Sequence, residues 1–185
     1  MLIDITLKLN VDQANEAWSN TNKALLGHLG THFDVMDEEF PLEYTKRSGI
    51  IFDVTGVCGR DIDICDVSPE LIVKESFVAF YTGYLDKVGY GTKQYFAEHP
   101  QLSDALIELL LDKGVSIIGI DCAGIRRGKE HTPKDRYCAK KGCFVVENLY
   151  ALDKVLAHSA TFTAHTYPMN YVGITGLPCR VIAQI

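Results

Sequence analysis

The stretch SDALIELLLDKGVSIIGI, residues 103–120, predicts a helix that leads directly into a buried strand. Its apolar residues first recur at three- and four-residue spacing, as on one face of a helix, and then run almost continuously. Ser103 suits the helix N-cap, and Lys113 with Gly114 suits the helix end. The buried stripe of this helix is predicted to consist of Leu102, Ala105, Leu106, Leu109 and Leu110.

A second apolar run lies upstream, at Phe77–Thr82, and predicts another strand that is buried on both faces. Strand, helix and strand in this order favour parallel pairing through a right-handed crossover. Further strands are predicted at 2–8, 50–57, 143–146, 161–166 and 179–185, and helices from 69 onward and over 148–157. Residues 11–26 and 123–141 are interpreted as loops, the first with a helical turn and the second functional. The chain, 1–185, is thus predicted to form one α/β domain with a mixed sheet.

The composition argues against nucleic-acid and membrane partners. The 185 residues carry a formal net charge of -6 and the pI is near 5.5, so no basic face is available to displace counterions from phosphates. The longest apolar run, Ala105–Leu111, is far shorter than the ~20 residues of a membrane span. The N-terminus lacks the basic region of a signal peptide. We therefore expect a cytoplasmic protein whose six cysteines are reduced thiols.

The segment His28-Leu-Gly-Thr-His-Phe-Asp34 places two imidazoles and a carboxylate within seven residues. Imidazole nitrogen and carboxylate oxygen are ligands that suit zinc, manganese or iron. Gly30 allows a sharp bend that brings both histidines to one point, and an extended chain would place His32 and Asp34 on the same face. By spacing alone, ordinary polar roles for these side chains remain the alternative to a metal site.

The same segment resembles the HxGTHxDxPxH signature of a cyclase family that includes bacterial kynurenine formamidases and isatin hydrolases. Five further segments resemble family sequence in the same order along the chain: Val78–Gly83, Pro100–Asp104, Gly119–Asp121, Val145–Leu149 and Gly173–Arg180. The resemblance implies a swivelling β/β/α fold, a dimer or tetramer, and hydrolysis of amide or lactam bonds with one or two divalent metal ions, zinc or manganese.

The resemblance also implies a set of metal ligands, which are His28, His32, Asp34 and Glu147. Two positions where the family has histidine carry carboxylates here, namely Glu38 in the signature and Asp135, twelve residues before Glu147. Glu38 is the candidate catalytic base. Asp135 is a candidate ligand that would make a second metal position richer in oxygen, favouring manganese or magnesium. His131 is a nearby substitute for the missing imidazole.

Several of these residues also have ordinary interpretations. Glu38 lies in the acidic run 37–39, which is typical of a solvated face. Arg126 is a candidate for binding an anionic substrate group. Tyr81 is a candidate for an aromatic substrate pocket, although aromatic residues beside strands usually belong to the core.

Two main functions are compatible with these residues, besides a weaker third, an acid-rich enzyme of a sugar- or hydroxy-acid-like substrate whose anionic group Arg126 or Arg127 would bind. The first is a metal-dependent hydrolase of a small amide, lactam or N-formyl compound. The second is a non-catalytic or diverged metal- or ligand-binding member of the same scaffold. Glu38 decides between them, because a hydrolase requires a group that moves the proton.

Overall fold

An 8-stranded mixed sheet organises the computed structural model, which describes residues 1–19 and 27–185. Its strands are β1 (Leu2–Asp4), β2 (His32–Asp34), β3 (Lys46–Asp53), β4 (Phe77–Tyr81), β5 (Ile117–Ile120), β6 (Phe144–Glu147), β7 (Thr161–Pro168) and β8 (Gly176–Gln184). The strand order is β1-β8-β2-β6-β5-β4-β3-β7, and β7 also pairs with β8. This last pairing closes the sheet into a barrel-like ring, with β1 added beside one end of β8.

Helices cover parts of this sheet. They are α1 (Val11–Ser19), α2 (Tyr84–Val88), α3 (Lys93–Glu98), α4 (Asp104–Asp112), α5 (His131–Lys140) and α6 (Leu152–Leu156). Short 3-10 turns occur at Leu42–Thr45, Ile64–Asp66, Pro69–Leu71 and Gly128–Glu130. No helix within residues 1–19 and 27–185 is long and apolar enough to cross a membrane.

The strand–helix–strand prediction for residues 77–120 is confirmed. Strands β4 and β5 pair in parallel, with Phe77 opposite Ile117. Ser103 caps α4 by accepting a hydrogen bond from the backbone N–H of Leu106. One detail of the predicted stripe is wrong. Ala105 is exposed, and Ile107 is buried with Leu106 and Leu110 instead, because the helix turns a neighbouring face toward the sheet.

Two predicted loops contain helices. Residues 131–140 form α5, which the sequence conceals because Asp135, Cys138 and Ala139 are its buried residues and give no apolar stripe. In the predicted loop 11–26, residues 11–19 form α1, and the rest lies outside the described residues. The predicted helix 148–157 begins only at Leu152, because Asn148 and Ala151 have left-handed φ angles of 57° and 54°.

The sheet carries hydrophobic side chains on both faces. In β4, Phe77 and Ala79 belong to one buried cluster, whereas Val78 and Phe80 belong to the other, which includes the buried face of α4. Strand period two separates these two sets. Strand β4 is therefore buried on both faces, as its continuous apolar sequence predicts.

Asn148 joins the end of β6 to the segment that precedes β2. Its side-chain amide donates to the carbonyl oxygen of Gly30 (2.8 Å), and its Oδ1 accepts from the hydroxyl of Tyr95 (2.6 Å). Its backbone carbonyl accepts from the hydroxyl of Thr31 (2.8 Å). Because Asn148 and Tyr95 are buried, each of these bonds replaces one that water would otherwise supply.

We predict that Tyr95→Phe destabilises the protein by about 1–3 kcal/mol, because it leaves Oδ1 of Asn148 buried without its donor. The midpoint of urea unfolding should fall with an unchanged slope. Tyr84→Phe is the matched control, because the Tyr84 hydroxyl donates to the carbonyl of Gln94 at the exposed surface. Equal stability of the two variants would contradict the assigned role of Asn148.

Candidate metal centre

Three predicted ligands converge at β2. Nδ1 of His28 lies 2.9 Å from Oδ1 of Asp34 and 3.0 Å from Nε2 of His32. Nε2 of His32 lies 3.6 Å from the same carboxylate oxygen. Ligand atoms about 2.0–2.1 Å from a tetrahedral zinc ion are separated by about 3.3 Å, so these three atoms have the spacing to share one ion. We call this triad the first position.

Strand pairing brings Glu147 to the same place. His32 and Asp34 alternate with Phe33 along β2, so their side chains point the same way. Strand β6 runs antiparallel to β2 with Glu147 directly opposite His32. Oε2 of Glu147 consequently lies 3.5 Å from Nε2 of His32. The fourth residue of the predicted ligand set is thus placed beside the first three by sheet register.

A second cluster shares Asp34 and Glu147 and adds two residues of α5. Nε2 of His131 lies 2.9 Å from Oε1 of Glu147, 3.1 Å from Oδ2 of Asp135 and 3.9 Å from Oδ2 of Asp34. All four ligand atoms lie within 4.8 Å of one another. We call this cluster the second position. The two oxygens of Asp34 face different positions, and the carboxylate therefore lies between them.

The second position differs from the sequence prediction in the local structure around Asp135. Asp135 does not lie in a loop but on α5, where it is fully buried. His131 begins the same helix, one turn earlier, and its side chain reaches the same cluster. A histidine and an aspartate four residues apart share one face of a helix. That signal was present in the sequence, but it has meaning only once residues 131–140 are known to be helical.

The burial of the Asp34 and Asp135 carboxylates indicates whether these residues suit a metal cation. Both oxygens of Asp34 and both oxygens of Asp135 are buried and accept no hydrogen bond from any described residue. Imidazole nitrogens approach them to 2.9 and 3.1 Å, but these contacts do not have hydrogen-bond geometry. A buried carboxylate is costly unless a positive charge neutralises it, either a protonated imidazole or a metal ion. The donor set therefore fits divalent metal ions.

The charges of the cluster shift its pKa values in both directions. Burial would raise the pKa of Asp34, but contacts with the surrounding imidazoles hold it well below its usual range. Burial and the charge of Asp34 raise the pKa of Asp135 well above normal and also raise that of Glu147. Burial opposes protonation of His32 and His131, yet the carboxylates outweigh it and raise their pKa values to about 8 and about 11. Without a metal ion, the imidazoles of His32 and His131 are therefore both protonated.

Neighbouring groups orient the two histidines of the first position. Nε2 of His28 lies 2.8 Å from the hydroxyl of Thr175, and Nδ1 of His32 lies 2.9 Å from the carbonyl oxygen of Gly30. Each contact occupies one ring nitrogen and leaves the other facing Asp34. Such outer contacts fix the ring orientation of metal-binding histidines. The Asn148 amide, which also donates to Gly30, holds the carbonyl that orients His32.

Glu38 lies outside both clusters, on an exposed turn that follows Met36. Met36 occupies the proline position of the family signature and has a φ of 55°. Proline is locked near −65°, so this backbone turn is one that proline cannot adopt. Glu38 lines a groove of about 1060 Å³ between residues 35–45 and 167–177, which also includes Thr175. The groove therefore reaches the residue that contacts His28.

The structure gives Arg126 a different environment from the one expected. Its guanidinium is buried, donates to Asp61 (3.0 Å) and to the carbonyl of Leu102 (2.7 Å), and forms an ion pair with Glu130. These contacts tie three segments together, so the guanidinium has a structural role in addition to the anion-binding role that the sequence suggests. Tyr81 is half-buried at the end of β4, and burial and the nearby Asp86 raise its pKa to about 12. Among the described residues, neither belongs to the two clusters.

Solved structures share this fold. A protein described as a potential metal-dependent hydrolase with cyclase activity aligns with a TM-score of 0.75 and 22% identity, over 99% of this chain and 96% of its own. A predicted metal-dependent hydrolase from Bacillus stearothermophilus gives 0.71 and 21%, over 99% and 97%. Isatin hydrolase A from Labrenzia aggregata, bound to benzyl benzoate, gives 0.68 and 18%, over 83% and 72%. At these identities the likeness establishes the fold.

The family model described as "Putative cyclase" matches residues 3–126 of the 185, about two thirds of the chain. No curated protein sequence matches. The matched part contains the whole first position, whereas His131, Asp135 and Glu147 follow it in sequence. On the strength of this match, the chain belongs to the cyclase family that the model describes.

Proposed function

We propose that this protein is a metal-dependent hydrolase that cleaves the C–N bond of a small amide, lactam or N-formyl compound. The observation that carries the proposal is the pair of ligand clusters that share Asp34, with buried carboxylate oxygens that accept no hydrogen bond from described residues. Structural likeness to an isatin hydrolase, which is named for a lactam, supports the substrate class. A groove of about 1060 Å³ beside Thr175 accommodates a small molecule.

The residues of the site have different proposed roles. His28, His32 and Asp34 would hold the metal ion, with Glu147 as a further ligand and with His131 and Asp135 at the second position. A bound divalent ion would supply Lewis-acid polarisation of a carbonyl group and lower the pKa of water. Glu38, which lines the groove, would accept a proton from water at its carboxylate and return it to the leaving nitrogen. His32, Asp34 and Glu147 are themselves buried, which limits the access of bulk water to these side chains.

One observation favours the second candidate function, a diverged binding protein. Glu38 replaces the signature histidine, and the left-handed Met36 turns the chain in a way that the signature proline does not allow. A protein that retains the ligands but lacks this imidazole would bind metal and ligand without turnover. We also propose, from the family resemblance, that the chain forms a homodimer or tetramer and, from the sequence composition, that it acts in the cytoplasm.

The double variant His28→Ala/His32→Ala should lose the metal ion of the first position, because it removes two of its three ligands. Elemental analysis of purified protein measures the loss, with hydrolysis of N-formyl aromatic amides assayed in parallel. His165→Ala is the matched control, since His165 is bonded to Gln184 on β8, away from both clusters. Full metal retention in the double variant would overturn the metal-site proposal.

Metal affinity should rise with pH. His32 and His131 have pKa values of about 8 and about 11 in the metal-free site, both above the usual 6.5, so each carries a proton at neutral pH. Because a metal ion must displace these protons, apparent affinity should increase about tenfold per pH unit for each proton released. Calorimetry in two buffers of different ionisation enthalpy counts the protons. Affinity that is independent of pH between 6 and 8 would contradict this assignment.

Glu38→Gln should lower kcat by about 10²–10⁴-fold if Glu38 moves the proton. Glu39→Gln is the control, because it removes the neighbouring charge of the same exposed run. Assays on N-formyl aromatic amides and cyclic amides should also include Glu38→His. Turnover gained by this variant, where the native protein has none, would identify the native protein as the diverged binding member.

A further inference from the structure

We propose that the two positions take different metals, with zinc at the first position and a harder ion, manganese, at the second. The inference rests on the proposed function, because it concerns the same centre. The first position offers two imidazole nitrogens and one carboxylate oxygen, from His28, His32 and Asp34. The second offers one imidazole nitrogen and three carboxylate oxygens, from Asp34, His131, Asp135 and Glu147.

Helix α5 builds the second position. His131 and Asp135 are four residues apart and face the sheet together, while Asp34 comes from β2 and Glu147 from β6. Three carboxylates from three elements thus surround Nε2 of His131 at 2.9, 3.1 and 3.9 Å. Oxygens collected in this way repel one another unless a cation lies among them.

Asp135 gives the independent evidence that the second position holds a ligand. Its side chain is fully buried, and neither oxygen accepts a hydrogen bond from a described residue. The other buried residues of α5, Cys138 and Ala139, are small and apolar, which is what packing alone requires. A carboxylate at Asp135 gives no packing advantage and incurs a large desolvation cost, which the imidazolium of His131, 3.1 Å away, or a metal ion in its place would offset.

The ligand composition of the second position sets its metal preference. Helix α5 supplies one imidazole nitrogen from His131 and, one helical turn later, a carboxylate oxygen from Asp135. Oxygen-rich sites suit manganese and magnesium, whereas imidazole-rich sites suit zinc. Because zinc outranks manganese at most sites, the difference appears as a lower zinc preference at the second position.

The test is the metal content of the intact protein. Metal-free protein is loaded with two equivalents of zinc in a large excess of manganese chloride, desalted and measured by native mass spectrometry. We expect one zinc and one manganese ion per chain, with an electron paramagnetic resonance spectrum of bound manganese. Neither readout depends on activity.

Variants assign each ion to its position. Asp135→Asn and His131→Gln should weaken manganese binding at least about 100-fold and retain zinc, since both change only the second position. His28→Gln should lose zinc and retain manganese. Thr132→Ala is the control, because Thr132 is exposed on the same helix. Asp135→Asn is isosteric, and circular dichroism of each metal-free variant confirms folding.

The outcomes separate the two proposals. Two zinc ions, a single ion that disappears in His28→Gln, or manganese binding unchanged in Asp135→Asn would overturn the mixed-metal inference. None of these results affects the proposed hydrolase. A native protein that binds neither metal would instead overturn the proposed function itself.

Discussion

The buried carboxylate of Asp34 is the constraint on which the site depends. It is fully buried, its two oxygens face different clusters, and it helps to raise the pKa values of His32, His131, Asp135 and Glu147. An isolated carboxylate in such a place would take up a proton, because burial disfavours its charge. Imidazoles on two sides keep Asp34 ionised instead. A cation that replaced their protons would preserve the same balance of charge, which is why a metal centre fits here.

The closed sheet supplies the rigidity that this balance of charges around Asp34 requires. Strand β2 is only three residues long, yet it pairs with β6 on one side and β8 on the other. Pairing on both sides fixes the direction of His32 and Asp34, because a shift of one residue would turn both toward the opposite face. Asn148 adds a tie at the end of β6 and holds the Gly30 carbonyl that contacts His32. Polar contacts at the edge of the apolar interior thus orient the ligands.

The turn after β2 separates the buried part of the motif, which ends at Asp34, from the exposed part around Glu38. Up to Asp34 the sequence follows the family signature, and its ligands meet. After Asp34, the left-handed Met36 leads to an exposed Glu38 at the groove. The candidate metal ligands and the candidate base Glu38 are therefore located on different local structures, the ligands around buried β2 and Glu38 on an exposed turn at the groove.

The sequence alone determined the features that local pattern controls. The strand–helix–strand unit of residues 77–120 and its parallel pairing follow from apolar periodicity and end signals, and the motif His28–Asp34 follows from ligand types at short spacing. Only the tertiary structure decided that β2 pairs with β6, that α5 is a helix, and that His131 and Asp135 join Asp34 and Glu147. Those contacts bridge about a hundred residues of chain, and no periodic pattern encodes them. They arise from closure of the sheet and from burial of a polar helix against it, which are properties of the folded chain as a whole.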